Sequence, residues 1–411
     1  MHAIKTCSER NRNSITKLPL LLLAVAMLMI PVAGTGYVPI LMTYAVFMAL
    51  LWKDGGQLIL DTSFLRRYAK YYFSFLCVSV VIGLLNGVGL YAEVADIVSS
   101  TVPFVSIYIG SKYAFKFPED RMINTVFVLL MIEMLFGIGQ TISLPFRQFS
   151  FELYGATNRL ISYQAEDIGR AVGTIGSPNY YGILCVVLCV SVLPGCIEYN
   201  RKPTAFFVLT MGIICVVFSV SKTSVLCIGI AAVLWSLTNS KYKPSMKALL
   251  CLLTLLVVII AIGEFESYSN RSFNLMTMSG RSNSWMRILS QFSDGSLFSQ
   301  FFGYGNGYST LKHFGVYADS FYIILLTEQG YVGTAAYIIV WLSLLFLSLR
   351  MPNRNYRQAL IILVTVILMA DVTAAITDNP NVAIVIYFMV GRYSKLAQCP
   401  ISKEIDETNI S

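Results

Sequence analysis

Residues 248–263 read Ala248-Leu-Leu-Cys-Leu-Leu-Thr-Leu-Leu-Val-Val-Ile-Ile-Ala-Ile-Gly263, without a single charge. Lys241, Lys243 and Lys247 stand before this run and Glu264 directly after it. As a helix rising 1.5 Å per residue, a stretch of this kind nearly covers the hydrocarbon core of a bilayer, and helix is the form that satisfies its backbone there. Comparable runs recur along the chain, at 18–33, 37–52, 71–90, 94–111, 122–144, 179–195, 204–219, 223–238, 331–349, 358–376 and 381–394. The reading is an all-α polytopic membrane protein of about twelve spans, with residues 1–411 as one transmembrane domain. Composition agrees: 56% of the 411 residues are hydrophobic and 13% charged, far from the balance of a soluble domain.

The basic residues set the expected orientation, because Lys and Arg near span ends are retained in the cytoplasm. Only Arg147, Arg159, Arg170, Lys222, Arg271, Arg281, Arg287 and Lys312 fall on the outer side, against 22 of the 30 Lys and Arg residues inside. Both termini are then cytoplasmic. The net charge of +8 is a topology signal, and nucleic acid is not an expected partner. Residues 1–33 resemble a signal peptide, but a second span follows at once, so they read as an uncleaved first helix.

Two connections are long, 145–178 and 264–318, and both lie outside. The second, between spans nine and ten, is expected to carry short helices and to hold function. No G-x-x-x-x-G-K-[ST] motif serves the cytoplasmic segments, so any chemistry is expected to face outward without ATP. The nine cysteines lie in spans or cytoplasmic segments, and Cys185 and Cys189, one turn apart, read as packing. With only His2 and His313 in the chain, no metal centre and no cofactor is expected. No internal repeat of the inverted-transporter kind emerges.

Polar residues of the outer segments suggest an anion site. Arg159 and Arg170 flank an acidic stretch with Glu166 and Asp167, and Gly-Ser-Pro178-Asn179 opens the next span. A cation and free N–H groups at a helix start suit an anion; interfacial capping with a snorkelling Arg would use the same residues. Lys222 sits in the tight outer turn Ser219-Val-Ser-Lys-Thr-Ser224, against the charge rule. In the large loop, Arg281, Trp285 and Ile288 share helical spacing, so one face could present a cation while the aromatic packs down. Gly303-Tyr-Gly-Asn-Gly307 permits a tight turn, and His313 and Arg287 lie nearby in sequence. Asp319 precedes the apolar stretch that ends at Glu328-Gln-Gly330, so it can cap that helix, work as a base, or both. Phe146, Phe149, Tyr154 and Tyr308 could stack on sugars, although interfacial aromatics are expected anyway. Of the charges within spans, Glu133 stands out as deep.

Three segments together resemble the O-antigen ligase and polymerase superfamily, specifically Wzy-type repeat-unit polymerases. They are Arg170 through Asn179, the Ser219–Ser224 turn where relatives usually have Ser-Arg-Thr, and 281–333 with Arg281, Trp285, the glycine run, Asp319-Ser-Phe-Tyr and Glu328-Gln-Gly-Tyr-Val-Gly333. Ala318-Asp319 stands where ligase members have His-Asn, which favours polymerase. The Arg-x10-Gly loop motif of some polymerases is missing, since nine residues separate Arg159 from Gly169.

The resemblance implies a glycosyltransferase of the bacterial inner membrane. It would polymerise undecaprenyl-diphosphate-linked oligosaccharide units into O-antigen or capsule at the periplasmic face, independently of metal. Membrane lipids and a chain-length regulator are the further partners it implies. Catalytic roles fall to Asp319 as base, Arg281 and Glu328; diphosphate or glycan binding falls to Arg170, Asn179, Lys222, Arg287, Arg159 and His313. Two alternatives stay open: a ligase acting on a lipid core, and a flippase or transporter of the same lipid-linked sugar.

Overall fold

The computed structural model describes residues 18–28, 38–60, 62–154, 170–238, 243–269, 281–308 and 310–399. All regular structure among them is helical. We number the helices α1 (Leu18–Leu28), α2 (Val38–Lys53), α3 (Ser63–Leu85), α4 (Leu90–Tyr113), α5 (Glu119–Ile142), α6 (Leu144–Tyr154), α7 (Pro178–Glu198) and α8 (Lys202–Ser219). They continue as α9 (Lys222–Thr238), α10 (Pro244–Ser269), α11 (Arg281–Ser293), α12 (Leu297–Phe302), α13 (Thr310–Phe314), α14 (Phe321–Leu349), α15 (Arg354–Thr373) and α16 (Pro380–Leu396). Eight are long and apolar enough to cross a membrane: α3, α4, α5, α7, α8, α10, α14 and α15. The chain is thus built as a multi-pass helical membrane protein. The other four expected spans correspond to α1, α2, α9 and α16, which are shorter, at 11 to 17 residues among those described.

Several boundaries move for physical reasons. α3 starts at Ser63 rather than 71, because Thr62 caps it through its side chain and Arg66, Arg67 and Lys70 extend from the helix into the open. α10 continues to Ser269, past the expected loop start at 264. α14 begins at Phe321, ten residues before the span expected at 331, and breaks at Gly330, where φ is +67°. The expected short helices of the large loop are present as α11, α12 and α13.

α7 and α10 are both apolar all round, yet α7 is the buried centre of the bundle and α10 its exposed flank. In water both would need burial; in lipid, close packing decides. α7 offers small residues to its neighbours: a Cβ on Gly182 would overlap Ser224 of α9, and one on Gly195 would press on Glu119 of α5. α10 presents Leu252, Leu255, Val257 and Ile259 outward, residues that lipid tails solvate as well as protein does. The tightest crossing joins α4 and α16. Side chains at Gly110 or Gly391 would strike the backbone carbonyls of Phe388 and Ile107, so only glycine lets these two backbones touch.

One end of the bundle carries the basic connections. There Lys112 pairs with Asp54 at 2.9 Å, and Arg201 with Asp120 at 2.8 Å. Arg392, counted in the sequence among the exposed topology charges, is instead 1% exposed and pairs with Glu119 while donating to the carbonyls of Ala114 and Phe117. The opposite end gathers 83–96, 170–177, 219–223, 301–320 and 373–377 by the hydrogen bonds described below.

Candidate functional site

At that opposite end, Arg281 begins α11 and Asp319 immediately precedes α14. Arg281 Nε lies 3.4 Å from Asp319 Oδ2, with the side chains 27% and 34% exposed. Behind Arg281, Ile288 packs with Phe314, Ala318 and Ile323, while Trp285 rests partly buried against them. One face of α11 therefore anchors the helix in an apolar cluster and the same face delivers the guanidinium to the carboxylate. Asp319 is fixed from behind as well: the N–H of Ala375 donates to its carbonyl oxygen at 2.9 Å, and Ser320 Oγ donates to the Asp371 carbonyl at 3.3 Å.

Ala375 also joins this pair to the second cluster. Tyr180 OH donates to the Ala375 carbonyl at 3.3 Å, and Thr223 and Thr373 share a hydrogen bond of 2.7 Å between their hydroxyls. In the second cluster Arg170 Nε donates to the Ser219 carbonyl at 3.2 Å, and Ser221 Oγ donates to Asn179 Oδ1 at 2.9 Å. Lys222 follows directly as the first residue of α9. Val220 holds this turn at φ +45°, a left-handed conformation that a β-branched residue adopts only under strain. Arg170, Asn179 and Lys222 thus share one turn, and the Thr373–Ala375 segment links that turn to Arg281 and Asp319.

The segment 170–176 is irregular backbone, and its polar groups find partners inside the bundle. Gln140 accepts from the N–H groups of Val172 and Gly173 at 2.9 and 3.0 Å and donates to the Gly173 carbonyl at 2.9 Å. Glu133 accepts the Thr174 N–H at 3.1 Å and the Thr174 hydroxyl. This gives the deep carboxylate of α5 a task, since non-helical backbone at such a position must be satisfied by protein. Glu133 is not alone at depth: Asp371 in α15 is fully buried and accepts from Tyr337 OH at 3.0 Å and from Thr377 Oγ1 at 2.9 Å.

The glycine run has a backbone role. Where α14 breaks at Gly330, the carbonyls of Thr327 and Glu328 accept the N–H groups of Tyr304 and Gly305 at 2.7 and 3.0 Å. The loop thereby caps the half-helix Phe321–Gln329. Glycine is required because side chains at Gly303 and Gly330 would strike each other's strand, at Glu328 and Phe301 respectively, and both residues have positive φ. Asn306 N–H then bonds to the Ser79 carbonyl, and Gly307 N–H to Asp96 Oδ2, both at 3.1 Å, which ties the loop to α3 and α4.

The remaining residues separate. Glu328 faces a cleft between α3, α4 and α14 and is not in contact with the Arg281–Asp319 pair. Arg287 is exposed on α11 beside the Gly315 turn. His313 stacks on Tyr308 with ring centres 3.8 Å apart, and desolvation, helped by Lys312, pushes its pKa below the ordinary value, so it is neutral at pH 7. Tyr304 stacks on Tyr308 at 4.6 Å, so both faces of Tyr308 are covered and a sugar-stacking role for that ring is corrected. Phe146 packs on Phe136, while Phe149 is exposed. Arg159, Glu166 and Asp167 lie outside the described residues, as does the side chain of Tyr154.

Sequence reading passed over the cleft itself, which encloses about 600 Å³ and is lined by Tyr68, Tyr71, Tyr72, Asp96, Glu328 and Gln329 among others. The Tyr68-x-x-Tyr71-Tyr72 spacing, which puts three tyrosines on one helical face, was the available signal. The chain matches no protein-family model and no curated protein.

Proposed function

We propose that this protein is a polyprenyl-diphosphate glycosyltransferase of the Wzy polymerase type, with about twelve spans, both termini in the cytoplasm of a bacterium and the site at the outer face of its inner membrane. The observation that carries the proposal is the Arg281–Asp319 pair joined through Ala375 to the turn of Arg170, Asn179 and Lys222. Cations beside a carboxylate at the mouth of a membrane bundle suit transfer from a lipid diphosphate. The donor diphosphate draws Arg281 away from Asp319, and arginine's planar fork suits it for that exchange. The released carboxylate takes the proton of the acceptor hydroxyl as its oxygen attacks the anomeric carbon. The bond to the diphosphate breaks, and the leaving group keeps the electron pair against the cations. Glu133 argues for this reading over a transporter, because its carboxylate is committed to Thr174 and leaves no open deep charge there for a translocation path.

Purified protein in lipid nanodiscs, given a single undecaprenyl-diphosphate-linked repeat unit, is expected to produce a ladder of oligomers. A product no longer than the input overturns the polymerase reading. Transfer to added lipid core instead indicates a ligase, and movement of the lipid across vesicles without any new glycosidic bond indicates a flippase.

A further inference from the structure

The cleft beside the proposed transfer site differs from it in chemistry. α3 contributes Tyr68, Tyr71 and Tyr72, α4 contributes Asp96, Ser99 and Ser100, and the first half of α14 contributes Glu328 and Gln329. No Lys, Arg or His stands among the described residues that line it. The glycine loop holds Asp96 in place through the Gly307 N–H, and Tyr71 OH bridges Gln329 Oε1 at 3.4 Å and the Gly333 carbonyl at 3.3 Å. Tyr72 is nine-tenths buried, and its hydroxyl has no hydrogen-bond partner among the described residues. A buried hydroxyl left without a partner costs free energy, so its persistence in a cleft points to a ligand atom that completes it.

We propose that this cleft is a glycan subsite that takes neutral or amino-bearing sugars and rejects anionic ones. Tyrosine rings offer flat apolar faces to the C–H surfaces of a pyranose, while carboxylates and hydroxyls accept from its O–H and N–H groups. Two carboxylates without a cation repel phosphate and uronic acids. The inference rests on the transferase reading for the glycan's origin, the sugars of a lipid-linked unit, and it separates the molecule by charge: diphosphate on the arginine side of the Phe321–Gln329 half-helix, sugar on the carboxylate side.

Saturation-transfer NMR on the full-length protein in detergent tests it, with N-acetylglucosamine, glucosamine and glucuronic acid as free probes at pH 7. The expected result is transfer to the first two and none above background to glucuronic acid. Tyr72→Phe removes only the unpartnered hydroxyl, so it is expected to leave thermal stability intact and to reduce transfer severalfold. The Asp96→Asn/Glu328→Gln double variant is expected to admit glucuronic acid. Equal transfer to all three sugars, or a Tyr72→Phe signal identical to the parent, overturns the subsite. The two readings fail separately: sugar binding without a polymer ladder removes the transferase and keeps the subsite, while a normal ladder without sugar binding does the reverse.

Discussion

The N–H of Ala375 points at the carbonyl oxygen of Asp319, 2.9 Å away, so the residue that follows α15 sets the position of the residue that opens α14. Ala375 has φ −61°, which proline can adopt, and Ala374 before it is extended, as a residue preceding proline should be. Ala375→Pro therefore deletes one donor with little backbone strain of its own, and its ring displaces Asp319. With displacement of about 1 Å, transfer is expected to fall roughly 100-fold while the protein remains folded. Initial rates of ladder formation beside a melting curve check this; an unchanged rate would remove Ala375 from the positioning role.

Arg281 and Asp319 are each about a third exposed, so their pairing contributes at most about 1 kcal/mol to stability after solvent screening. Asp319→Asn and Arg281→Ala are thus expected to melt close to the parent yet to lose about 10²-fold or more of the transfer rate. An Asp319→Asn protein that polymerises normally excludes this carboxylate as the base.

Gly330 and Gly303 combine positive φ with carbonyls placed where a side chain would go. Alanine at either is expected to cost more than the ~1–2 kcal/mol of a left-handed residue alone, because the loop and the half-helix must part. Gly55, also at positive φ but with open space around it, supplies the control, and Gly55→Ala should cost only the conformational term. Thermal unfolding of the three variants in one detergent gives the comparison. Equal shifts would show that the contact with Glu328 and Phe301 carries no weight.

At the far end, Arg392→Met leaves Glu119 buried without its cation, an expected loss of about 3–5 kcal/mol. The double variant Glu119→Leu/Arg392→Met is expected to recover most of that loss, since paired apolar replacements avoid the desolvation cost. A double variant as unstable as Arg392→Met would mean that the bonds to Ala114 and Phe117, and not the ion pair, are what matters.

Much of the architecture could be read from the chain because lipid imposes a simple rule: a run such as 248–263 has no other stable fate. The proximity of Arg281 to Asp319 was also approachable, since α11 and the start of α14 are separated by short helices over an apolar cluster. The break at Gly330 was hidden. Its cause is a loop more than twenty residues earlier in the sequence, and Gly303-Tyr-Gly-Asn-Gly307 by itself looks like any flexible turn. Asp371 was lost within an apolar stretch whose average masks one carboxylate, and Tyr68, Tyr71 and Tyr72 within one that reads as packing. Only the fold reveals that Asp96 and Glu328, 232 positions apart, share a cleft with them.

The glycine loop and the broken helix also limit how such a protein can be rebuilt. Because Tyr304 and Gly305 cap Thr327 and Glu328 atom for atom, the large outer segment is no interchangeable module on an inert bundle. A chimera that imports this segment from another polymerase inherits an unfilled notch in α14 unless the glycine spacing and the break are transplanted together. Specificity could therefore drift quickly at exposed positions such as Arg287 and Phe149, while loop and helix are constrained to change as a pair.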